Sequence, residues 1–506
     1  MPGHLDSIPR LKAPESGVTV RMYRTGFGDC FLLAFRGEDD KPVYMLIDCG
    51  VHSQWSGGGK RIVEIAEDIR ASTGGHLEVV AITHEHADHI SGFGAARKVF
   101  ENMDVGEAWF GWTEKPGDPD VDALKRQRSL MITGLRAAHQ SLAATNESAA
   151  GKIAGILSFF EMAGSNDTQL PITGAQAMDV IRKKARQQQY LKPKCPPLEV
   201  PGVEKVRVFV LGPPVDRKYL MAVGPSGAPG EVYTEVALAT AMMAAAGDQS
   251  AGVEEFQPFA GNFRVLTEVA QEHKEHFKFF HEHYGFNRND PEAWRRIGLD
   301  WQYASETLAL KLDAATNNTS LVLAIELMNT RRVLLFPGDA QVGNWESWHE
   351  GDWTEENGLA KGEKITAKNL LARTVLYKVG HHGSHNATLR EKGLEMMTSP
   401  ELVAMIPVDE KWALARKPKP WKMPFEPLYQ DLELRTKGRI LRTDYGMADP
   451  PGKAAWGAFK PRVNELYVEL TIEDGQTGSP VRVPRRKVQR SPRTPTQNQP
   501  KRPTRS

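Results

Sequence analysis

A layered α/β fold is what this sequence predicts, and three observations carry it. Short apolar runs bounded by Gly, Asp and Pro recur toward both ends of the chain. One of them, "LEVVAIT" (77–83), is apolar at every inner position, the pattern of a strand covered on both faces. Between such runs lie stretches with helical spacing, as at Ile62, Ile65, Ala66 and Ile69.

The elements follow in order. "VTVRMYRT" (18–25) alternates as a strand, and "DCFLLAF" (29–35) and "PVYMLID" (42–48) are strand-length apolar runs. "KRIVEIAEDIRAST" (60–73) is a helix, and "LEVVAIT" the next strand. "ISGFGAARKVFENM" (90–103) is helical after its glycines, and "EAWFGW" (107–112) is a short strand. An Ala- and Gln-rich stretch, about 117–192, favours helix and lacks a glycine-punctuated strand pattern. "KVRVFVLGPP" (205–214) is a strand, and a second mainly helical stretch covers about 215–305. Strands resume at "TSLVLAIEL" (319–327) and "RRVLLFP" (331–337); "AKNLLARTVL" reads as a helix leading to "YKVGHHGSHNAT" (377–388). "ELVAMIPV" (401–408) is a strand, "PLYQDLELRTKG" (427–438) a helix ended by glycine, "RILRTDYG" (439–446) a strand, and "NELYVELTIED" (464–474) an alternating last strand. One layered domain over 17–474, interrupted by mainly helical insertions at about 115–200 and 215–305, is the simplest organisation; a separate middle domain is the alternative.

Composition sets the class. The chain has 506 residues, 40% hydrophobic and 25% charged, as in ordinary globular proteins. No run approaches eighteen apolar residues and the N-terminal stretch has no apolar h-region, so neither a membrane partner nor a secretory signal is expected. Cys30, Cys49 and Cys195 have no CxxC spacing and are too few for a disulfide framework, which fits a cytoplasmic location. Net charge is +1, yet residues 475–506 carry nine Lys/Arg and no acid, leaving the body with eight net negative charges. That Pro-, Ser-, Thr- and Arg-rich tail is expected to be disordered; it is a solvated tail or an arm for nucleic acid or an acidic partner. An acidic body argues against broad nonspecific DNA binding by the folded part.

The chemistry concentrates in "THEHADHISG" (83–92). An extended chain puts alternate side chains on one side, so His84 and His86 point together where the strand ends and can share one metal. Asp88 and His89 lie just beyond and can serve a second metal beside it. A single HxH is weak; HxHxDH directly after a fully apolar strand is specific. Imidazole and carboxylate hold a divalent ion while leaving a water position open.

This pattern resembles the metallo-β-lactamase fold, an αββα sandwich, and the family's other stations occur in order: "MLIDCG" with Asp48, "LLFPGDA" with Asp339, and "LYKVGHHGSHNAT" with His381 and His382. "GFGDCFLLAF", "NNTSLVLAIE", "YKVGHHGS" and "GRILRTDYG" are similar to the soluble domain of the ComEC/Rec2 DNA-uptake proteins and their stand-alone relatives, over roughly residues 17–112, 205–214 and 307–447. The resemblance leaves out the two helical stretches, the tail and that family's membrane segments. It implies a metal-activated hydroxide and two metal ions, zinc with manganese as an alternative. His84 and His86 would bind one metal; Asp88, His89 and His382 the other; Asp339 would bridge them. Asp48 would accept from a ligand imidazole, and His381 would face the substrate, with His381 and His382 interchangeable on sequence and His382 favoured as ligand. Asp88, His381 and Asp48 are thus the catalytic candidates.

The sequence departs from the family twice. The further metal-binding histidine that many members place before the bridging aspartate has no counterpart: His139, His273, His276, His281 and His283 follow no strand and glycine, and read as helical surface positions. The Gly-His-Pro before the last helix is replaced by "WKMPFEPLYQDL", leaving Lys422 or Glu426 in the histidine's place, or a loop that is only structural. Cys49 reads as a small buried residue. The resulting expectation is a metal-dependent hydrolase, nuclease-type on DNA or RNA phosphodiesters. The alternatives are a hydrolase of small phosphoesters, thioesters or lactones, and a non-catalytic partner protein on the same fold.

Overall fold

A computed structural model describes residues 10–143, 147–161, 173–222, 278–284, 300–445, 456, 459 and 461–475. Two sheets face each other. The first has the order β14-β15-β1-β2-β3-β4-β5-β6, from β1 (Gly17–Tyr23), β2 (Cys30–Arg36), β3 (Pro42–Cys49), β4 (His76–Ile82), β5 (Asp104–Gly111), β6 (Ala185–Leu191), β14 (Arg462–Val463) and β15 (Tyr467–Glu473). The second runs β13-β12-β11-β10-β9-β8-β7, from β7 (Leu198–Glu199), β8 (Val206–Gly212), β9 (Val322–Leu327), β10 (Arg332–Phe336), β11 (Thr374–Lys378), β12 (Val403–Ile406) and β13 (Ile440–Arg442).

Val20, Leu33, Met45, Val79 and Ile472 of the first sheet meet Val208, Leu323, Ile325, Leu334 and Met405 of the second in one buried core. The opposite faces are covered too. Leu32, Leu46, Val80 and Ala108 pack with Ile62, Ile65 and Ile69 of helix α1 (Gly58–Thr73), and with Ile90 and Phe93 of α2 (Ala87–Ala95). Leu335, Tyr377, Ala404 and Ile440 pack with Trp345, Leu370 and Leu432, from helices beyond the second sheet. The layers are therefore helix, sheet, sheet and helix, and strands buried on both faces explain the continuous apolar runs.

In each sheet the strands bearing the motifs run parallel: β3 with β4 in the first, β10 with β11 in the second. Parallel pairing brings their C-terminal ends, and so their motifs, to one rim. A hydrogen bond from Leu321 N–H to the Thr83 carbonyl, 2.9 Å, ties the sheets together there. Gly50 makes the close fit possible, because a Cβ at that position would stand 2.3 Å from the Asp88 carbonyl carbon and the His89 nitrogen.

Some local expectations are corrected. The Gln-rich end of the first helical stretch is strand β6, paired in parallel with β5, instead of helix. Its polar residues suit an edge, where one side chain row meets solvent, and pairing overrides their weak strand preference. "AKNLLARTVL" divides: Ala367–Ala372 is helical, but Thr374 begins β11. Much of 215–305, and the tail 476–506, lie outside the described residues. So do His273 and His276. His283 is exposed on a Lys278–Tyr284 helix, and His139 is half-buried on α3 (Pro119–Leu142). Helices α3, α4 (Glu147–Leu157) and α5 (Asp300–Asn317) share a small core of their own, including Leu135, Ile153, Leu308 and Leu312. Among the described residues, no helix is long and apolar enough to cross a membrane.

Candidate metal centre

Every residue singled out in the motifs is buried at this rim. Asp48 ends β3; Thr83 and His84 follow β4; His86 is the residue before α2, whose first turn carries Asp88 and His89. Asp339 follows β10, and His381 and His382 follow β11. Three of these residues hold left-handed backbone: Asp48 (φ 55°), His381 (φ 45°) and His382 (φ 52°). Non-glycine residues enter that region at a cost of order 1–3 kcal/mol, which surrounding contacts must offset.

The hydrogen-bond network assigns the imidazole protons. His89 Nδ1 stands 2.8 Å from Asp48 Oδ2 and donates to it. That same oxygen accepts from the Thr83 hydroxyl at 2.6 Å, and Asp48 Oδ1 accepts from Thr83 N–H at 2.8 Å. With its proton given to Asp48, Thr83 Oγ1 is left to accept from His84 Nδ1, 3.1 Å away. His382 Nδ1 donates to the Pro407 carbonyl. With Nδ1 so committed, each of these three rings turns its Nε2 inward.

Those nitrogens meet carboxylate oxygens and one another. His382 Nε2 is 2.9 Å from Asp88 Oδ2, and His89 Nε2 is 3.1 Å from Asp339 Oδ2 and 3.9 Å from Asp88 Oδ2. His84 Nε2 is 3.0 Å from His86 Nδ1. His86 Nε2, Asp88 Oδ1, His89 Nε2 and Asp339 Oδ2 are buried without a hydrogen-bond partner. Carboxylates and imidazoles buried this close together need a cation among them, either a proton on His89 or a metal ion. Two metal-ligand groups emerge, His84 with His89 and Asp339, and Asp88 with Asp339 and His382, so that Asp339 belongs to both. Nitrogen and carboxylate donors of this kind suit a divalent ion such as zinc. The residues present fit the metal that the motifs call for.

His86 stands at the margin: it is beside His84 but in neither group. His381 lies outside both as well, its Nδ1 3.1 Å from Ser384 Oγ and 3.5 Å from Gln341 Nε2. A third group, Asp29, Asp48 and His89, forms around the outer nitrogen of His89.

Burial and charge set the titration. Burial, then the neighbouring His89 and His86, pushes His84 well below the ordinary histidine range, and burial lowers His86. His89 goes the other way. Burial opposes its charge, but Asp339, Asp29, Asp88 and Asp48 outweigh that and raise it well above the usual value. Burial would likewise raise Asp88 and Asp339, yet His89 with His382, and His89 with Lys378, hold these two carboxylates low.

Sequence reasoning missed several members. Lys378 donates to the Gly338 carbonyl (2.8 Å) and Asp339 Oδ1 (3.1 Å), and forms a buried ion pair with Asp29. The signal was present: Lys378 interrupts the apolar run "TVLYKV", and a charge inside a doubly covered strand requires a partner. Asp313 on α5 accepts from Gln341 at 2.9 Å and adds negative charge at His86. The first insertion also reaches the site. Glu85, inside the motif, pairs with Arg128 of α3 at 2.5 Å, and Phe160 and Phe159 lie 4.8 and 5.6 Å from the His86 ring.

The comparisons with known proteins bear on this rim. No curated protein and no solved structure matches the chain. Residues 23–108, which run from the end of β1 through Asp48 and the HxHxDH motif into β5, match the family described as the metallo-beta-lactamase superfamily, whose members are mostly hydrolytic enzymes that use divalent metals.

Proposed function

We propose that the chain is a metal-dependent hydrolase of phosphodiesters, nucleic acid foremost. One observation carries the reading: imidazole nitrogens and carboxylate oxygens from β4–α2, β10 and β11 converge on a buried centre in two metal-ligand groups that share Asp339. His84, His86, Asp88, His89, Asp339 and His382 would hold two zinc ions, with manganese an alternative. Metal bound there supplies water acidified toward neutral pH and positive charge for the anion that develops.

The chain's own groups do the positioning. Asp48 holds the Nδ1 proton of His89 and, through Thr83, orients His84. Pro407 does the same for His382. His381 is committed to no carboxylate side chain, and its ring would hold a phosphoryl oxygen or protonate the leaving oxygen. The choice of phosphorus over carbonyl substrates rests on the similarity of "GFGDC", "YKVGHHGS" and "GRILRTDYG" to ComEC/Rec2 domains, and agrees with the basic tail.

A small phosphoester, thioester or lactone is the second reading, favoured by Phe159 and Phe160 crowding the His86 side. The test is turnover of bis(p-nitrophenyl) phosphate, a labelled oligonucleotide, a thioester and a lactone with added Zn²⁺ or Mn²⁺. Cleavage of both phosphodiesters, lost in His86→Ala, supports the proposal; turnover of only the thioester or lactone removes it.

A further inference from the structure

The stretch that replaces the family's Gly-His-Pro is where this chain has most to say. "KWALARKPKPWKMP" (411–424) contains five cations, Lys411, Arg416, Lys417, Lys419 and Lys422, and no acid. The four lysines are exposed, and among the described residues none of the five forms an ion pair with a carboxylate. The carboxylates just before them are occupied: Asp409 accepts from Trp55 Nε1 and Trp412 N–H, and Glu410 pairs with Arg442. Five cations with no local carboxylate partner present a positive field to an anionic ligand.

Its position is fixed relative to the metal centre. At one end, Pro407 orients His382; at the other, Phe425 N–H donates to the Gly383 carbonyl at 2.8 Å. Between them the apolar side of the stretch rests on α4. A Cβ on Gly151 would come within 2.5 Å of Pro418, and one on Gly155 within 3.6 Å of Trp421. Trp421 stacks on Phe159 (5.4 Å, 17°), whose ring lies 6.1 Å from that of His381. Trp421 is half-buried at the edge of this aromatic cluster. Cations in a row beside a half-buried aromatic residue match a single nucleic-acid strand: phosphates meet the lysines, and an unpaired base stacks.

We infer that Lys411–Lys422, with Trp421, is the rim on which a single-stranded nucleic acid lies as it enters the metal centre. This rests on the phosphodiesterase reading for its purpose, but not for its test. The measurement is the binding of a fluorescent phosphorothioate 20-mer to the full-length protein, by anisotropy over a range of salt. The comparison is Lys417→Gln/Lys419→Gln/Lys422→Gln, with removal of three tail cations (Arg485, Arg486, Lys487) as control. The triple rim variant is expected to weaken binding about tenfold or more and to flatten the slope of log K against log salt by about 2, at ~0.7 per lost phosphate contact. Trp421→Leu is expected to weaken binding with the salt slope kept. An unchanged affinity and slope in the rim variant, dependence on the tail cations alone, or binding of the duplex as tightly as the single strand overturns the inference. Wild-type turnover of bis(p-nitrophenyl) phosphate without oligonucleotide binding keeps the phosphodiesterase reading and removes the rim. Oligonucleotide binding that depends on the rim, in a protein that hydrolyses no phosphodiester, keeps the rim and removes that reading.

Discussion

Lys378 Nζ lies 3.1 Å from Asp339 Oδ1, the same oxygen that accepts the His381 backbone N–H at 2.8 Å. One oxygen of the shared carboxylate is thereby fully engaged, and only Oδ2, which faces His89, is open to metal. Lys378 and the His381 backbone thus decide how Asp339 can serve both groups.

Removing the lysine has two separable effects. Lys378→Met frees Asp339 to rotate, and a competitive chelator titration is expected to show metal affinity about 10–100-fold weaker, the usual cost of losing the partner behind a ligand. It also strands the Asp29 carboxylate, and denaturant unfolding is expected to show a loss of about 3–5 kcal/mol. Asp29→Asn/Lys378→Met is expected to recover much of the stability but not the affinity. Wild-type affinity in the single variant refutes the positioning role.

Metal uptake is expected to release a proton. The carboxylates around His89 keep it protonated well above the ordinary histidine range in the metal-free chain, yet a metal ligand must be neutral. Affinity should therefore rise with pH near neutrality. Calorimetric titration with Zn²⁺ in two buffers of different ionisation enthalpy measures the protons released, about one per chain from His89; a buffer-independent heat contradicts the assignment.

His52 gives the acid limb of stability a specific source. It is buried among Phe27, Phe159, Trp412 and Trp421, and burial pushes its pKa down to about 4. Between pH 6.5 and 4 the unfolded chain takes up a proton that the folded ring refuses, so stability falls as pH falls through that window. At about 1.4 kcal/mol per pH unit, the full contribution is about 3 kcal/mol. Urea unfolding at pH 7 and pH 4.5 is expected to show a smaller pH-dependent loss in His52→Gln than in the wild type, by about 2–3 kcal/mol. Equal losses would mean that His52 is not the titrating group.

Much of this centre is written locally in the sequence. HxHxDH after a doubly buried strand, Asp48, Asp339 and the His381–His382 pair are each a short signal at the end of an apolar run. Parallel pairing of β3 with β4 and of β10 with β11 is enough to bring them to one rim. What escaped was contact between elements far apart in the chain. Asp29, just before β2, and Lys378, at the end of β11, are single charges far apart in the chain, and neither names the other. Strand β6 was hidden because an edge strand keeps polar residues, so "ARQQQYL" lacks the apolar signature of the strands inside the sheet. The aromatic cover of Phe159, Phe160 and Trp421 depends on the first insertion folding back over the site, which no periodicity encodes.

The central claim is that buried acceptors from both sheets share divalent metal through Asp339 and use it to cut phosphodiesters. The most direct test pairs metal content by elemental analysis with oligonucleotide cleavage, in wild type and Asp339→Ala. The account predicts about two divalent ions per wild-type chain with metal-dependent cleavage. It predicts that Asp339→Ala loses metal and cleavage together while remaining folded. A wild-type chain that takes up no metal after incubation with Zn²⁺ or Mn²⁺, or an Asp339→Ala chain that cleaves as fast as wild type, would contradict it.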